Sequence, residues 1–214
     1  MGRRALPKLK TVVDFSGHLL KFEDFSPWTP DVWFGRAAPL HVEVGSGKGL
    51  FLQNTAGKFP EGNFLGMEIA HAYARFAAYR CAKHGLSNVR VGDVDALRVF
   101  REIIPDNALQ TVHVYFPDPW WKKRHHKRRV MNEQFVQDIT RTLTPGGSLH
   151  FWTDVEDYYQ MTAELLAQRT PLIGPQFVPE AVPENELDYR THRERRVRKE
   201  GLQVFRTEYL KPIP

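Results

Sequence analysis

The stretch LHVEVGSGKGLFLQNTAGK (residues 40–58) gives the strongest indication of the fold. An apolar run at 40–44 predicts a short buried strand, the three glycines of 45–49 predict a tight turn, and 50–58 follow as a predicted helix. Glycine permits backbone angles that a β-carbon would disfavour, and it lets a ligand approach the main chain closely. The stretch therefore predicts a strand–turn–helix unit of an α/β domain, with a ligand at the turn.

The same alternation of strand and helix patterns continues along the chain. Further strands are predicted at 63–69, 89–92, 109–116, 148–153 and 203–210, and further helices at 71–84, 97–104, 131–143 and 155–169. The tail from residue 177 onward is predicted to form extended segments around the second basic run. This order indicates an α/β fold with a mostly parallel, doubly wound sheet. Ligands of such sheets bind beyond the carboxyl ends of the strands.

Length and composition favour a single core. The chain has 214 residues, 42% of them apolar, which suits one domain at residues 39–214. Residues 1–38 have scattered aromatics without a period, so we predict an N-terminal extension that packs on the domain or its substrate and is partly mobile at its start.

The compartment is also indicated by composition. No apolar stretch is long enough to cross a bilayer, and no apolar region typical of a secretory signal follows the basic N-terminus. Cys81 is the single cysteine, which excludes an intrachain disulfide and favours a buried structural thiol in a reducing compartment. We expect a cytoplasmic protein without a membrane partner.

Positive charge is concentrated in two segments. Residues 122–129 contribute six positive charges, and residues 190–199 contribute six positive charges and one negative charge. The net charge is +5 and these segments contribute +11, so the rest of the chain carries −6. Two concentrated runs predict a docking face for a polyanion; the alternative is two solvated charged surfaces. His125 and His126 are adjacent, which suits phosphate contact better than zinc, and we expect no metal site.

Acidic residues lie at or just after the ends of the first four predicted strands; they are Glu43, Glu68, Asp95 and Asp118. Glu68 lies about twenty residues past the turn, where dinucleotide-binding folds place an acid on ribose hydroxyls. The turn GSGKG matches neither G-x-x-x-x-G-K-[ST] nor G-x-G-x-x-G, which favours a nucleoside without a diphosphate. S-adenosylmethionine, with its sulfonium, ammonium and ribose, suits such a site, with Gly45 and Gly47 beside it. The alternative is that Glu43 and Asp95 only cap turns.

The run YFPDPWWKKRHHKRR (115–129) joins an acid to a basic segment. Asp118 is held between two prolines where an apolar run stops, which indicates a site rather than a surface. Trp120 and Trp121 either form a stacking surface for a base or anchor the loop. We favour the anchor for Trp120 and leave both interpretations open for Trp121.

Several of these motifs together resemble the tRNA (guanine-N7)-methyltransferases. They are VEVGSGKG, FLGMEI, DAL at 95–97, FPDPWWKKRHHKRR, TD at 153–154 and THRE at 191–194, and the resemblance runs from about Leu40 to the C-terminus. It implies a Rossmann-like class I methyltransferase fold with an antiparallel C-terminal strand. It also implies methyl transfer from S-adenosylmethionine to N7 of a guanosine in tRNA, in the variable loop, forming 7-methylguanosine.

The resemblance also implies roles for individual residues. Glu43, Glu68, Asp95 and Asp118 would line the S-adenosylmethionine pocket, and Asp118 would be catalytic. The residues implied to contact the RNA substrate are Lys122, Arg124, His125, His126, Lys127, Arg128, Arg129, Asp154, Thr191, His192, Arg193 and Glu194. Trp121 departs from the family pattern, which has Pro or His there.

Two rival functions remain at this stage. One is a methyltransferase with another acceptor, although loops of the Asn-Pro-Pro-Tyr type that serve exocyclic amines are absent from the sequence. The other is an RNA-binding module without catalysis, against which the acids at all four strand ends argue. For the function that the resemblance implies we expect tRNA as the partner, no obligatory protein partner, and a monomer or homodimer.

Overall fold

The computed structural model describes residues 6, 7, 9, 12–180, 182, 183 and 188–214. Their strands are β1 (Leu19–Leu20), β2 (Leu40–Val44), β3 (Asn63–Glu68), β4 (Val89–Asp93), β5 (Leu109–Tyr115), β6 (Leu143–Thr153), β7 (Ile173–Phe177) and β8 (Phe205–Leu210). Their α-helices are α1 (Pro30–Phe34), α2 (Leu50–Lys58), α3 (His71–Lys83), α4 (Ala96–Glu102), α5 (Glu133–Thr142), α6 (Glu156–Arg169) and α7 (His192–Lys199). Short 3₁₀ helices form at Ser16–His18, Phe22–Phe25 and Lys123–Arg128.

The strands form one sheet in the order β1-β4-β3-β2-β5-β6-β8-β7. The first six pair in parallel, whereas β8 runs antiparallel to β6 and to β7. β2 pairs with β3 on one side and with β5 on the other, so the strand order reverses beside β2. The glycine turn after β2 and the loop after β5 therefore emerge together at the reversal point, where doubly wound sheets bind ligands. The predicted fold class is confirmed.

Most predicted elements form within a few residues of their predicted bounds, but a helix in the second basic segment was not predicted. This segment forms helix α7 between the extended segments expected around it. Thr191 Oγ1 accepts a hydrogen bond from Glu194 N (3.0 Å), and the Glu194 carboxylate accepts one from Arg190 N (2.8 Å). The Thr-x-x-Glu sequence is thus a capping box, with its acid closing on the residue before the cap, and it starts a helix.

The sheet also extends beyond its prediction. β6 begins at Leu143 and includes Pro145, Gly146 and Gly147, which the sequence indicated as a stop. Gly146 N donates to Lys211 O (3.0 Å) and Lys211 N donates to Gly147 O (2.8 Å), so the following segment keeps this stretch paired. The edge strands β1 and β7 were not predicted.

The described part of the N-terminal segment packs into the same core as the sheet. Phe25 is fully buried and its ring lies 5.2 Å from that of Trp33, while β1 pairs with β4. The division after residue 38 stays a prediction. The predicted mobile start concerns residues 1–5, 8, 10 and 11, which lie outside the described residues. Cys81 is buried in α3, as predicted, and burial raises the pKa of its thiol to about 12.

Candidate active site

The glycine turn is held open by left-handed backbone and is tied to the next strand. Gly45 and Gly47 have φ values of 76° and 53°. A β-carbon on Gly45 would meet no atom within 4 Å, so the space beside the main chain is open to a ligand. Gly45 N donates to Met67 O (2.8 Å), and Gly47 N donates to Glu68 Oε2 (2.9 Å). The turn therefore presents backbone to open space beside the end of β3.

Two buried carboxyl groups lie beneath this turn, and they differ in their hydrogen bonding. Glu68 is satisfied by the backbone, because its other oxygen accepts from Ala70 N (2.8 Å). Glu43 is 3% exposed, and its Oε2 has no hydrogen-bond partner among the described residues. Burial raises the pKa of Glu43 well above 4.5, and the nearby Glu68 raises it further. A buried acceptor without a partner is costly, and a ligand bearing N–H or O–H donors or a cation would offset that cost.

Beyond the carboxyl ends of β3 and β4 lie one predicted site residue, Asp95, and two residues that were not predicted, Asp93 and Ile69. Asp95 is exposed and caps α4 by accepting from Leu97 N (3.0 Å), so the alternative capping role is observed and its cofactor role stays a prediction. Asp93 pairs with His71 at the start of α3. Ile69, directly after Glu68, is 68% exposed and offers an apolar surface to a flat ring. The sequence signal for Ile69 was its position as the last residue of the predicted strand 63–69, next to Glu68.

The loop after β5 holds Asp118 in a strained backbone. Phe116 and Trp120 flank it with φ values of 49° and 48°, a region that bulky residues rarely adopt. Such residues cost on the order of 1–3 kcal/mol each and cluster at functional sites. Phe116 N donates to Trp152 O (2.8 Å), and Arg129 Nε donates to Pro119 O (2.8 Å). The loop is thus fixed on both sides of the exposed Asp118 carboxylate.

Arg129, predicted as an RNA contact, is buried beneath the Asp118 loop. It is 3% exposed, its Nη2 lies 2.7 Å from Asp157 Oδ2, and its guanidinium lies 4.7 Å from the centre of the Tyr158 ring. Its donors are used within the protein, on the carbonyl of Pro119 and on α6. In this arrangement Arg129 holds the Asp118 loop, and its RNA contact stays a prediction.

The other members of the first basic segment remain at the surface. Lys122, Arg124, Lys127 and Arg128 are exposed, and His125 and His126 are half-buried. The Arg128 guanidinium lies 5.0 Å from the Trp120 ring, and His125 meets the same ring edge-on at 5.9 Å. Trp120 therefore packs as an anchor, as interpreted from the sequence.

The segment 191–194 divides into surface and buried residues. His192 is exposed, Thr191 and Arg193 are half-buried, and Arg193 pairs with Asp154 at the end of β6. Glu194 is 4% exposed and its Oε1 lies 3.5 Å from Arg206 Nη2. In the structure Glu194 closes the start of α7 and contacts Arg206 on β8, and its RNA contact stays a prediction.

Arg190 joins the second basic segment to the strand that carries the Asp118 loop. Its Nη1 donates to the Tyr115 hydroxyl (3.0 Å), and its guanidinium lies 4.9 Å from the Trp152 ring. Tyr115 is the last residue of β5 and pairs in register with Trp152. Both basic segments therefore meet at the carboxyl edge of β5 and β6. Arg190 had no separate signal in the sequence, because it is one of six cations in its run.

The reversed strand order, the glycine turn and the carboxyl groups around it define a class I S-adenosylmethionine-dependent methyltransferase. Residues 37–207 match a family model described as a putative methyltransferase. Two solved structures share the fold. The 16S rRNA methyltransferase KamB matches with a TM-score of 0.59 and 16% identity, over 89% of this chain and 92% of its own. The 16S rRNA (adenine(1408)-N(1))-methyltransferase of Catenulisporales acidiphilia matches with a TM-score of 0.58 and 19% identity, over 87% of this chain and 92% of its own.

Sequence relatives specify the family further. The tRNA (guanine-N(7)-)-methyltransferase of Rhodopirellula baltica is 45% identical over 99% of this chain and 80% of its own length. Proteins of the same name from Halorhodospira halophila and Idiomarina loihiensis are 39% and 36% identical, over 81% and 82% of this chain and 75% and 72% of their own lengths. The chain belongs to the tRNA (guanine-N7)-methyltransferase family.

Across the described ranges, no helix is long and apolar enough to span a membrane. The same residues contain no group of three or more His, Cys, Asp or Glu side chains arranged to hold a metal ion.

Proposed function

We propose that this protein transfers a methyl group from S-adenosylmethionine to N7 of a guanosine in tRNA, forming 7-methylguanosine. The strained Asp118 loop carries the proposal. It lies between the glycine turn with its buried carboxyl groups and a surface of exposed lysine and arginine side chains. A cofactor site and a polyanion surface thus meet at one exposed carboxylate.

The cofactor side is assigned to the turn and the acids around it. The backbone at Gly45 and Gly47, the buried Glu43 and Glu68, and the exposed Asp95 would hold the cofactor's amino, ribose and base groups. The open space at Gly45 and the unpartnered oxygen of Glu43 fit a ligand rich in donors. When bound, S-adenosylmethionine supplies a methyl group made electrophilic by its sulfonium.

The acceptor side needs orientation more than base catalysis. Guanine N7 has an in-plane lone pair at neutral pH, so no proton has to leave before it attacks. We assign Asp118 to accept hydrogen bonds from the guanine N–H groups and to stabilise the positive charge of the methylated base. Such positioning lowers barriers by about 7–11 kcal/mol at best. Asp154 is less available for this role because it pairs with Arg193.

The tRNA is assigned to the cations around this loop. Lys122, Arg124, Lys127 and Arg128 are exposed, and contacts from such residues to phosphates position RNA without reading its sequence. Recognition would follow the shape of the tRNA, and the target, which we place in the variable loop, has to leave its tertiary pairing before it can react. We further propose a cytoplasmic monomer or homodimer that needs no other protein.

The test is methyl transfer from labelled S-adenosylmethionine to unmodified tRNA, by the wild type and Asp118→Ala, followed by nucleoside analysis. We expect label in 7-methylguanosine with the wild type and its loss in a folded variant. Label in another nucleoside would overturn the acceptor atom. An RNA-binding module without catalysis would bind tRNA, transfer no methyl group and show no thermal shift with S-adenosylmethionine.

A further inference from the structure

Trp121 lies next to the anchoring Trp120 and is exposed to solvent. Its exposed fraction is 71%, although indole is among the largest apolar side chains. Trp120 has a left-handed φ of 48° and packs against the basic segment, so the chain turns between the two rings. Within the described ranges, Trp121 has no ring or cation–π partner. The loop thus packs Trp120 against the basic segment and leaves Trp121 exposed to solvent.

The surroundings of Trp121 suit a polyanion. The next three residues, Lys122, Lys123 and Arg124, are all exposed. A protein partner that covered Trp121 would also have to neutralise or desolvate these charges, whereas the phosphates of a nucleic acid complement them. Charge complementarity therefore selects RNA as the occupant of this surface.

The position of Trp121 places it beside the reacting base. Trp121 follows Asp118 by three residues, so their Cα atoms are at most about 11 Å apart. A guanosine held at Asp118 would therefore have its flanking nucleotides within reach of Trp121. When a target base leaves its stack, the neighbouring base exposes a face that an aromatic ring can cover.

Resting on the proposed function, we propose that Trp121 is a stacking platform for a nucleobase that flanks the methylated guanosine. Every base has a π-face, so the contact adds affinity without selecting sequence. Stacking on an aromatic side chain changes binding by roughly 5- to 150-fold per base.

The test compares Trp121→Phe, Trp121→Leu and Trp121→Ala with the wild type in binding to unmodified tRNA at fixed salt. We expect Ala and Leu to raise the Kd by roughly 5- to 150-fold and Phe to restore most of the affinity, because Leu is apolar but has no π-face. The matched control is Phe59→Ala, another exposed aromatic (52%), after α2 at the opposite edge of the sheet, which should bind like the wild type. Quenching of tryptophan fluorescence by tRNA should be larger in the wild type than in Trp121→Phe.

The proposal is overturned if Trp121→Ala binds tRNA like the wild type, if Trp121→Leu matches the wild type, or if the quenching does not depend on Trp121. An equal melting temperature and cofactor Kd in all variants show that only the RNA contact changed; a common loss of both would instead assign Trp121 to the fold. These outcomes are read from binding. Failure of the proposed function is read separately, from the absence of 7-methylguanosine with the wild type.

Discussion

Lys127 and Arg129 lie two residues apart in the same basic segment, yet the structure gives them opposite roles. Lys127 is exposed, whereas Arg129 is buried beneath the Asp118 loop. Replacing each by Met removes one positive charge and keeps an unbranched side chain of similar length. The pair of variants therefore separates RNA contact from support of the loop.

The cost of Arg129→Met follows from three contacts. The charged hydrogen bond to Pro119 O contributes about 1.5–3 kcal/mol, and the guanidinium over Tyr158 about 0.5–2 kcal/mol. The ion pair with Asp157 adds about 0–1 kcal/mol, because the Asp157 side chain is 70% exposed. Met keeps part of the packing and the contributions are not additive, so we expect a loss of about 2–4 kcal/mol. At about 2–4 °C per kcal/mol, the melting temperature falls by roughly 5–15 °C.

The two assays are thermal unfolding and tRNA binding over a range of salt concentrations. Arg129→Met should melt early, lose turnover because the Asp118 loop is released, and keep the salt dependence of the wild type. Lys127→Met should melt like the wild type and reduce the slope of log Kd against log salt by about one. If Arg129→Met melts like the wild type and lowers the salt slope as Lys127→Met does, Arg129 is an RNA contact and the structural argument fails.

Three further predictions concern Glu43, the glycine turn, and the contact between Tyr115 and Arg190. Burial raises the pKa of Glu43 well above 4.5. Above pH 4.5 the folded protein therefore keeps the Glu43 carboxyl proton that the unfolded chain has lost. The free energy of unfolding falls as pH rises from 4.5 toward the raised pKa. Glu43→Gln should flatten this fall in urea titrations at several pH values; an unchanged slope would contradict it. Gly49 has a φ of 68°, and Gly49→Ala would place a β-carbon 2.8 Å from a side chain on α3, so this variant should lose roughly 2–4 kcal/mol of unfolding free energy in urea. In Gly45→Ala the new β-carbon meets no atom within 4 Å, so the loss should be about 1–2 kcal/mol. Tyr115→Phe removes the hydroxyl that accepts from Arg190 and also contacts His113 Nδ1 (2.8 Å). If the Arg190 contact supports the tRNA-bound state, the KM for tRNA should rise, by at most about tenfold for a bond of about 1.4 kcal/mol; an unchanged KM would refute the coupling.

The sheet and the acids at its edge could be predicted because their signals are local. Each strand shows its apolar run in sequence, and parallel strands bring their carboxyl ends to one edge of the sheet. The positions of Glu43, Glu68 and Asp118 at that edge could therefore be predicted without knowing any tertiary contact. Helix α7 also had a local signal, the Thr-x-x-Glu capping box, which the density of arginines around it obscured. The sequence pattern was sufficient there, and the interpretation was at fault.

The burial of Arg129 had no local signal. Nothing in KKRHHKRR separates its last residue from its neighbours, because the partners that bury it, Asp157 and Tyr158, come from α6, almost thirty residues later. Glu194 is similar, since the arginine that faces it lies on β8. Charges within a basic run therefore divide into ligand contacts and structural contacts only when the fold is known.

The sheet also explains how two basic segments far apart in sequence act on one site. β5 and β6 are parallel neighbours, so the Asp118 loop and Asp154 follow adjacent strand ends, and Tyr115 pairs in register with Trp152. Arg190 contacts the Tyr115 hydroxyl and the Trp152 ring, and α7 begins two residues later, so a shift of α7 would disturb the strand end that supports Asp118. Contacts made by the second basic segment and the placement of Asp118 are consequently coupled through β5, which is why we expect Tyr115→Phe to act on tRNA.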